Sequence, residues 1–120
     1  MRRIEYKTDA QLAWMAKAGV VTSRALDAAV AAVAPGKTTA DLDSAFREII
    51  TANGATSNFL GYYDYPAMIC ASVNDEVVHG IPGPRELLAG DMVSIDGGAV
   101  LTDPATGKTW NGDSARTVMV

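Results

Sequence analysis

Apolar side chains recur at steps of three and four residues through the first third of the chain, a spacing typical of an amphipathic helix. Thr8 and Gln11 form a capping-box pattern at the start of this helix, and Pro35-Gly36 ends it. The stripe predicted to be buried consists of Leu12, Met15, Ala16, Gly19, Val20, Leu26, Val30 and Val33.

A second, shorter amphipathic pattern follows the first. Thr38 or Thr39 is positioned to cap its first turn, and Asn53-Gly54 ends it, because glycine readily adopts the left-handed backbone that closes a helix. Its predicted buried stripe consists of Leu42, Ala45, Phe46, Ile49 and Ile50.

The second half of the chain has the texture of strands and turns. MICASV (residues 68–73) predicts a strand, Asn74-Asp75 a turn, and EVVHG (residues 76–80) a returning strand. MVSIDGGAVL (92–101) and TWNGDSARTVMV (109–120) predict two further strands around the turn-rich DPATGK. Two helices followed by such strands predict an α+β fold over residues 1–120, with both helices on one face of an antiparallel sheet.

The composition excludes several classes of function. The chain has 120 residues, a net charge of −4 and 48% apolar residues, so we expect one domain's worth of core and no nucleic-acid partner. A single cysteine precludes an internal disulfide, which fits a reducing cytoplasm. No apolar run is long enough for a membrane span, and the first residues lack the apolar core of a secretion signal. The single histidine means that a metal site must rely mainly on carboxylates.

The last two predicted strands carry one candidate acid each. If the hairpin is centred between Pro104 and Ala105, Asp96 and Asp113 lie directly opposite each other on one face of the sheet. Two ionised carboxylates placed this way repel, and a divalent cation or a shared proton would relieve the repulsion. The structural alternative is a different register in which one aspartate caps a turn.

Glycines flank both acids, at positions 97, 98 and 112. Glycine within a strand indicates either local twisting and bending or the close approach of another group, and both interpretations stay open here.

Three further features carry possible chemistry. His79 ends the predicted strand EVVHG, where it either accepts a proton and contacts a ligand or is simply a satisfied, partly buried histidine. Cys70 is expected to pack rather than to act as a nucleophile, because no second histidine would activate it. An aromatic loop either lines an apolar pocket or is pinned to the sheet by its rings, which belong to Phe59, Tyr62, Tyr63 and Tyr65.

Three segments together resemble the bacterial type I methionine aminopeptidases: SVNDEVVHGIP, LLAGDMVSIDGG and WNGDSARTVMV. The resemblance covers essentially the whole chain. It implies the N-terminal half of the pita-bread fold of creatinases and aminopeptidases, whose two halves are related by a pseudo-twofold axis and hold a two-metal site between them.

The resemblance also assigns roles to residues. Asp96 resembles a ligand of one metal ion, Asp113 the ligand that bridges both ions, and His79 the histidine that contacts the substrate beside the scissile peptide. The pocket for the methionine side chain corresponds to Tyr62, Tyr65, Cys70 and, by position only, Phe59.

The implied reaction is removal of the initiator methionine from nascent chains whose second residue is small. Two divalent ions (Co, Mn, Fe or Zn) would lower the pKa of a water molecule and polarise the scissile carbonyl, so no side-chain nucleophile is needed. The implied partners are nascent polypeptide N-termini at the ribosome, and we expect the complete enzyme to be a cytoplasmic monomer.

The chain departs from the family pattern in three places. Tyr63-Asp64 stands where many relatives carry a pair ending in glycine, and DPATGKTW lengthens the link between the acids. The family's other ligands, one histidine and two glutamates, belong to a C-terminal half that these residues do not include. We therefore expect a fragment that is inactive alone. The alternative is a non-catalytic protein-binding module that keeps the half-fold as a scaffold.

Overall fold

A computed structural model describes residues 3–120, in which two helices pack on one antiparallel sheet. The elements are α1 (Asp9–Ala31), α2 (Thr39–Ala52), β1 (Thr56–Ser57), β2 (Ile69–Val73), β3 (Met92–Thr102) and β4 (Thr109–Met119). A short 3-10 turn, Tyr62–Asp64, lies between β1 and β2. The central strand is β3, which pairs with β1 and β2 along one edge and with β4 along the other. This arrangement confirms the predicted α+β fold.

Both helices begin with a capping box. The Thr8 hydroxyl accepts the Gln11 backbone N–H at 3.3 Å, and the Gln11 side chain accepts the Thr8 N–H at 2.8 Å. In α2 the cap is Thr38 rather than Thr39, and Asp41 accepts the Thr38 N–H at 2.8 Å. Each box satisfies two backbone donors, and loss of such a cap costs about 1 kcal/mol.

The predicted stripe of α2 is confirmed, because its residues are fully or partly buried: Leu42, Ala45, Phe46, Ile49 and Ile50. A buried acid shares this face. The Oδ1 atom of Asp43 accepts the backbone N–H groups of Met68 at 2.7 Å and Ile69 at 3.1 Å, and this ties α2 to the start of β2.

The predicted stripe of α1 is wrong in its first half. Large apolar side chains there, including Leu12 and Met15, are exposed, whereas α1 buries Ala18, Val21, Thr22, Ala25, Leu26 and Ala29. The cause is a close approach to β4: a Cβ on Gly112 would lie 2.5 Å from Thr22 Oγ1 and 2.6 Å from Ala18 O. Small side chains at Ala18 and Thr22 permit that approach, so the buried face at this point carries alanine and threonine instead of larger residues.

The predicted returning strand EVVHG is also wrong, because residues 76–80 form a loop. Asn74 lies at the start of this loop and His79 near the end of the loop, and both have a left-handed backbone (φ 55° and 59°). Gly80 bonds to the middle of β2, where its carbonyl accepts the Ala71 N–H at 2.8 Å and its N–H donates to Ser72 Oγ at 3.0 Å. The left-handed residues interrupt the extended backbone that a ladder requires.

The final hairpin has the predicted strands but not the predicted register. Asp96 pairs with Ala115, so the hairpin is centred one residue later than expected. The connection explains the shift: the Asp103 carboxylate accepts the Ala105 N–H at 2.9 Å, and Gly107 has a left-handed backbone (φ 71°). This local turn sets the register, as hairpin loops usually do.

Candidate metal and substrate site

Asp96 and Asp113 lie on the face of the sheet that points away from the helices. They are diagonal neighbours, since Asp96 pairs with Ala115 and Asp113 pairs with Gly98. Diagonal residues of a strand pair are roughly 7–8 Å apart, within reach of two carboxylate side chains and a group between them. The prediction of direct opposition is thus wrong, but both acids do face the same side.

The two acids influence each other electrostatically. Burial raises the pKa of the Asp96 carboxyl above its ordinary value, and the charge of Asp113 raises it further. His79 acts in the opposite direction, because a positive charge nearby favours the ionised carboxylate. The three groups therefore share one environment, in which a cation or a shared proton would relieve repulsion. Both acids lie within a continuous ladder, so neither caps a turn.

The acids fit a divalent metal ion in part. Carboxylate oxygens are preferred ligands of hard cations, and two on one face are able to bind together. Within residues 3–120, however, no three side chains of the histidine, cysteine, aspartate or glutamate type gather closely enough to hold a metal ion. The described chain therefore supplies part of a ligand shell rather than a closed one.

A cavity of about 500 Å³ opens beside the acids. It is lined by Asn58, Phe59, Tyr62, Tyr63, Tyr65, Cys70 and His79. All five residues predicted to contact substrate are among them. Cys70 connects the cavity to the acids, because it lies directly opposite Asp96 across β2 and β3.

Tyr65 and Cys70 form a buried corner of this cavity. The Tyr65 hydroxyl donates to the Ile69 carbonyl at 2.9 Å, and burial, followed by contact with Cys70, raises the pKa of that hydroxyl above its usual range. Burial also raises the pKa of the Cys70 thiol. Since the thiolate is the reactive form, this environment supports packing rather than nucleophilic attack by Cys70.

The aromatic loop and His79 form the outer part of the cavity. The rings of Phe59 and Tyr65 meet edge to face at 6.4 Å, and those of Tyr62 and Tyr63 at 4.6 Å. The loop thus both lines the cavity and is fastened to β2 through the Tyr65 hydroxyl. His79 is exposed, so it is not the partly buried histidine of the structural alternative.

Asn58 is a site residue that sequence reasoning missed. Its amide lies over Gly98, on the face that carries the acids, because a Cβ on Gly98 would be 2.5 Å from Asn58 Oδ1. Within residues 3–120 that oxygen is buried without a hydrogen-bond partner. Gly98 was the feature of the sequence that could have indicated this contact, since glycine within a strand marks the close approach of another group.

The other two flanking glycines also mark close approaches, but on the helix face. A Cβ on Gly97 would lie 2.7 Å from the ring of Phe46, and Gly112 lies against α1. The ladder of β3 and β4 runs through all three glycines without a bulge. Of the two interpretations of these glycines, close approach is the correct one.

Two helices cover one face of the sheet, and the other face carries two neighbouring aspartates beside an aromatic cavity, an arrangement that fits part of a metallopeptidase domain. The chain belongs to metallopeptidase family M24, whose family model matches residues 13–120.

Individual relatives show which members of the family the chain is similar to. Over 117 residues the chain is 50% identical to methionine aminopeptidase 1 of Mycobacterium tuberculosis, a match that covers 97% of this chain and 42% of that protein. The crystal structure of methionine aminopeptidase from Rickettsia prowazekii aligns with a TM-score of 0.89 at 33% identity, covering 98% of this chain and 45% of that one. An uncharacterized protein in the adk 3′ region of Micrococcus luteus is 64% identical over 81 residues, which cover 68% of this chain and 95% of that protein.

These comparisons confirm the predicted resemblance and the half-fold. The chain spans less than half the length of the two methionine aminopeptidases, 42% and 45%. Membership of a metallopeptidase family implies use of a divalent metal ion. Neither helix of residues 3–120 has the length and apolar character needed to cross a membrane.

Proposed function

We propose that this chain provides the N-terminal half of a metal-dependent aminopeptidase that removes the initiator methionine from nascent proteins whose second residue is small. The observation that carries the proposal is the convergence of Asp96, Asp113 and His79 with an apolar cavity on one face of the sheet. The names of the relatives support the same reaction.

Different residues of the chain have different proposed roles. Asp96 and Asp113 would hold two divalent ions (Co, Mn, Fe or Zn), which when bound polarise the scissile carbonyl and lower the pKa of water. His79, exposed at the rim of the cavity, would contact the substrate beside the scissile peptide. The methionine side chain would enter the pocket formed by Phe59, Tyr62, Tyr65 and Cys70.

The pocket has the chemistry that a methionine side chain requires. Aromatic faces and a buried thiol offer an apolar surface, and polarisable sulfur packs favourably against aromatic rings. The hydrogen bond from Tyr65 to Ile69 keeps one wall in place before substrate arrives. The free N-termini of nascent polypeptides, in the cytoplasm, are the proposed partners.

Metal binding by the chain tests the role of the acids. In a calorimetric titration with Mn²⁺, we expect weak binding by the parent, loss of the signal in Asp113→Ala, and no change in Asp75→Ala. Asp75 is a matched control because it is an exposed acid in a turn away from the ladder. Absence of a response in all three proteins would favour the non-catalytic scaffold.

Activity provides the second test. Two carboxylates leave a ligand shell incomplete, and an incomplete shell does not position a reacting group well. We therefore expect no cleavage of a Met-Ala peptide by the isolated 120 residues with Mn²⁺ or Co²⁺ present. Metal-dependent turnover by the pure chain would contradict this expectation.

A further inference from the structure

Asn58 reaches from the end of β1 over the central strand. Ser57, the last residue of β1, pairs with Ala99, so the residue that follows it comes alongside Gly98. The Asn58 carboxamide lies where a side chain of residue 98 would begin, because a Cβ on Gly98 would be 2.5 Å from Oδ1 and 2.6 Å from Nδ2. Gly98 is buried although it lies on the face that carries the acids. The amide of Asn58 therefore takes the place of the side chain that Gly98 lacks.

This position brings the amide next to Asp113. Gly98 pairs directly with Asp113 across β3 and β4. Side chains that are directly opposite in an antiparallel pair have Cβ atoms about 4.5–5.5 Å apart. Since the amide of Asn58 occupies the place of residue 98, it is a neighbour of the Asp113 side chain on the site face. Asp113 is exposed, so the direction of its side chain depends on the backbone that carries it.

The carbonyl of Gly112 has a weakened bond within the ladder. At the end of the hairpin the Asp103 N–H donates to Lys108 O at 2.8 Å. Hydrogen-bonded pairs recur at every second residue of an antiparallel ladder, which makes Ala99 and Gly112 such a pair. The Ala99 N–H, however, donates to Thr22 Oγ1 at 3.0 Å. The Gly112 carbonyl therefore does not have that N–H to itself.

Asn58 provides a second donor for this carbonyl. The Gly112 oxygen leans toward the site face, where it would be 2.5 Å from a Cβ on Gly98, and Asn58 Nδ2 donates to it at 3.5 Å. The hydrogen bond is long, but it is made to the peptide group that leads directly into Asp113. Asn58 is thus bonded to the backbone from which the Asp113 side chain starts.

We propose that Asn58 is a positioning residue of the candidate metal site, which holds the backbone of Asp113 so that this carboxylate and that of Asp96 face a divalent ion together. The inference rests on the proposed function, because the metal site belongs to it. Within residues 3–120 the Asn58 Oδ1 atom is buried without a hydrogen-bond partner, and such an oxygen lowers stability. Removal of the amide should therefore cost the fold little and metal binding much.

Metal affinity and stability, measured side by side, separate this role from a structural one. Loss of a group that orients a metal ligand weakens binding by about 10–100-fold, and for one long hydrogen bond we expect the lower end of that range in Asn58→Ala. Titration followed by the electron paramagnetic resonance of free Mn²⁺ measures the affinity. Urea unfolding in EDTA should show that the variant is as stable as the parent or more stable.

A second variant covers the case in which the alanine protein does not fold. Asn58→Leu is close to asparagine in size and keeps Gly98 covered, but it has no donor for the Gly112 carbonyl. We expect the same loss of Mn²⁺ affinity as in Asn58→Ala. Variants at Asn58 that lose stability but bind Mn²⁺ as tightly as the parent would overturn the inference, because Asn58 would then be a structural residue.

Asn53 provides the matched control. Its Nδ2 atom donates to Ile49 O at 2.8 Å at the exposed end of α2. Asn53→Ala should therefore lower the free energy of unfolding and leave the Mn²⁺ affinity unchanged, the opposite of the result expected at Asn58. In the parent, a small amount of Mn²⁺ should broaden the side-chain NH₂ signals of Asn58 in the NMR spectrum and leave those of Asn53 sharp. Equal broadening of the two would contradict the position of Asn58 beside the metal site.

The same titrations distinguish failure of this inference from failure of the proposed function. If the parent and Asp113→Ala bind Mn²⁺ equally, or neither binds it, the proposed metal site is wrong and the role of Asn58 is overturned with it. If Asp113→Ala loses binding while both Asn58 variants bind as the parent does, only the role of Asn58 is overturned. Loss of affinity in Asp113→Ala and, to a smaller extent, in both Asn58 variants is the result that supports the inference.

Discussion

Gly112 is the position at which one methyl group tests the helix–sheet contact of this fold. A Cβ there would lie 2.5 Å from Thr22 Oγ1 and 2.6 Å from Ala18 O. Thr22 is held in place, because its Oγ1 accepts the Ala99 N–H at 3.0 Å and donates to Ala18 O at 2.9 Å. Overpacking costs roughly 1–3 kcal/mol, and weakening the buried hydrogen bond adds roughly 1–2 kcal/mol. We therefore expect Gly112→Ala to lower the free energy of unfolding by about 3 kcal/mol.

Urea unfolding followed by far-UV circular dichroism measures this loss at a fixed protein concentration. Gly19→Ala is the matched control, because the same substitution in α1 meets nothing within 4 Å. It should be neutral or stabilise by up to about 1 kcal/mol, since alanine favours a helix interior. A Gly112→Ala protein as stable as the parent would mean that α1 moves away from β4 without cost, which would refute the tight contact.

Substitutions at three further positions should each change the measured stability of the chain. Asp43→Ala leaves the N–H groups of Met68 and Ile69 without an acceptor, so urea unfolding should show a loss of about 3 kcal/mol; Asp43→Asn, which keeps one oxygen, should lose less. Asp96→Asn removes a carboxyl whose pKa in the folded chain is raised by burial and then by the neighbouring acid. Such a group lowers the stability of the folded chain as the pH rises above its ordinary pKa of 3.8. In EDTA the variant should therefore be more stable than the parent at neutral pH, but not at a pH below 3.8. An equal gain in stability at the two pH values would contradict a raised pKa. Asp64→Gly relieves a left-handed backbone at φ 63° and should raise Tm by a few degrees, whereas a lower Tm would mean that the carboxylate has a partner.

Features set by local sequence were predictable. The capping box at Thr8 depends on a spacing of three residues, so the start of α1 could be placed without tertiary information, and the start of α2 could be placed to within one residue, at Thr38 or Thr39. The two hairpin strands could also be placed, because the turn-rich segment between them is a local signal. Their register could not, because it depends on how Asp103 and Gly107 shape the connection, and a change of one residue there moves the pairing of Asp96 by two.

Features set by packing were not predictable from hydrophobicity alone. The valines of EVVHG favour a strand, but the left-handed backbone at Asn74 and His79 turns the segment into a loop. The side chains that α1 presents to the sheet are small because Gly112 lets the helix approach closely. The amide of Asn58 enters the site for a similar reason, since Gly98 leaves space for it.

Successive side chains of β3 point alternately to the helices and to the candidate site. Odd-numbered residues such as Ile95 and Gly97 face the helices, where Gly97 lies against Phe46, and even-numbered residues such as Asp96 and Gly98 face the site. A slip of one residue would exchange the two faces and bury the acid beneath the helices. Burial of an unpaired carboxylate there is unfavourable, and this cost excludes the slip. The ring of Phe46 in addition leaves room only for glycine at position 97. Packing on the opposite face of the strand therefore helps to position the acids, and substitutions at Gly97 should alter the proposed metal binding without contacting the metal.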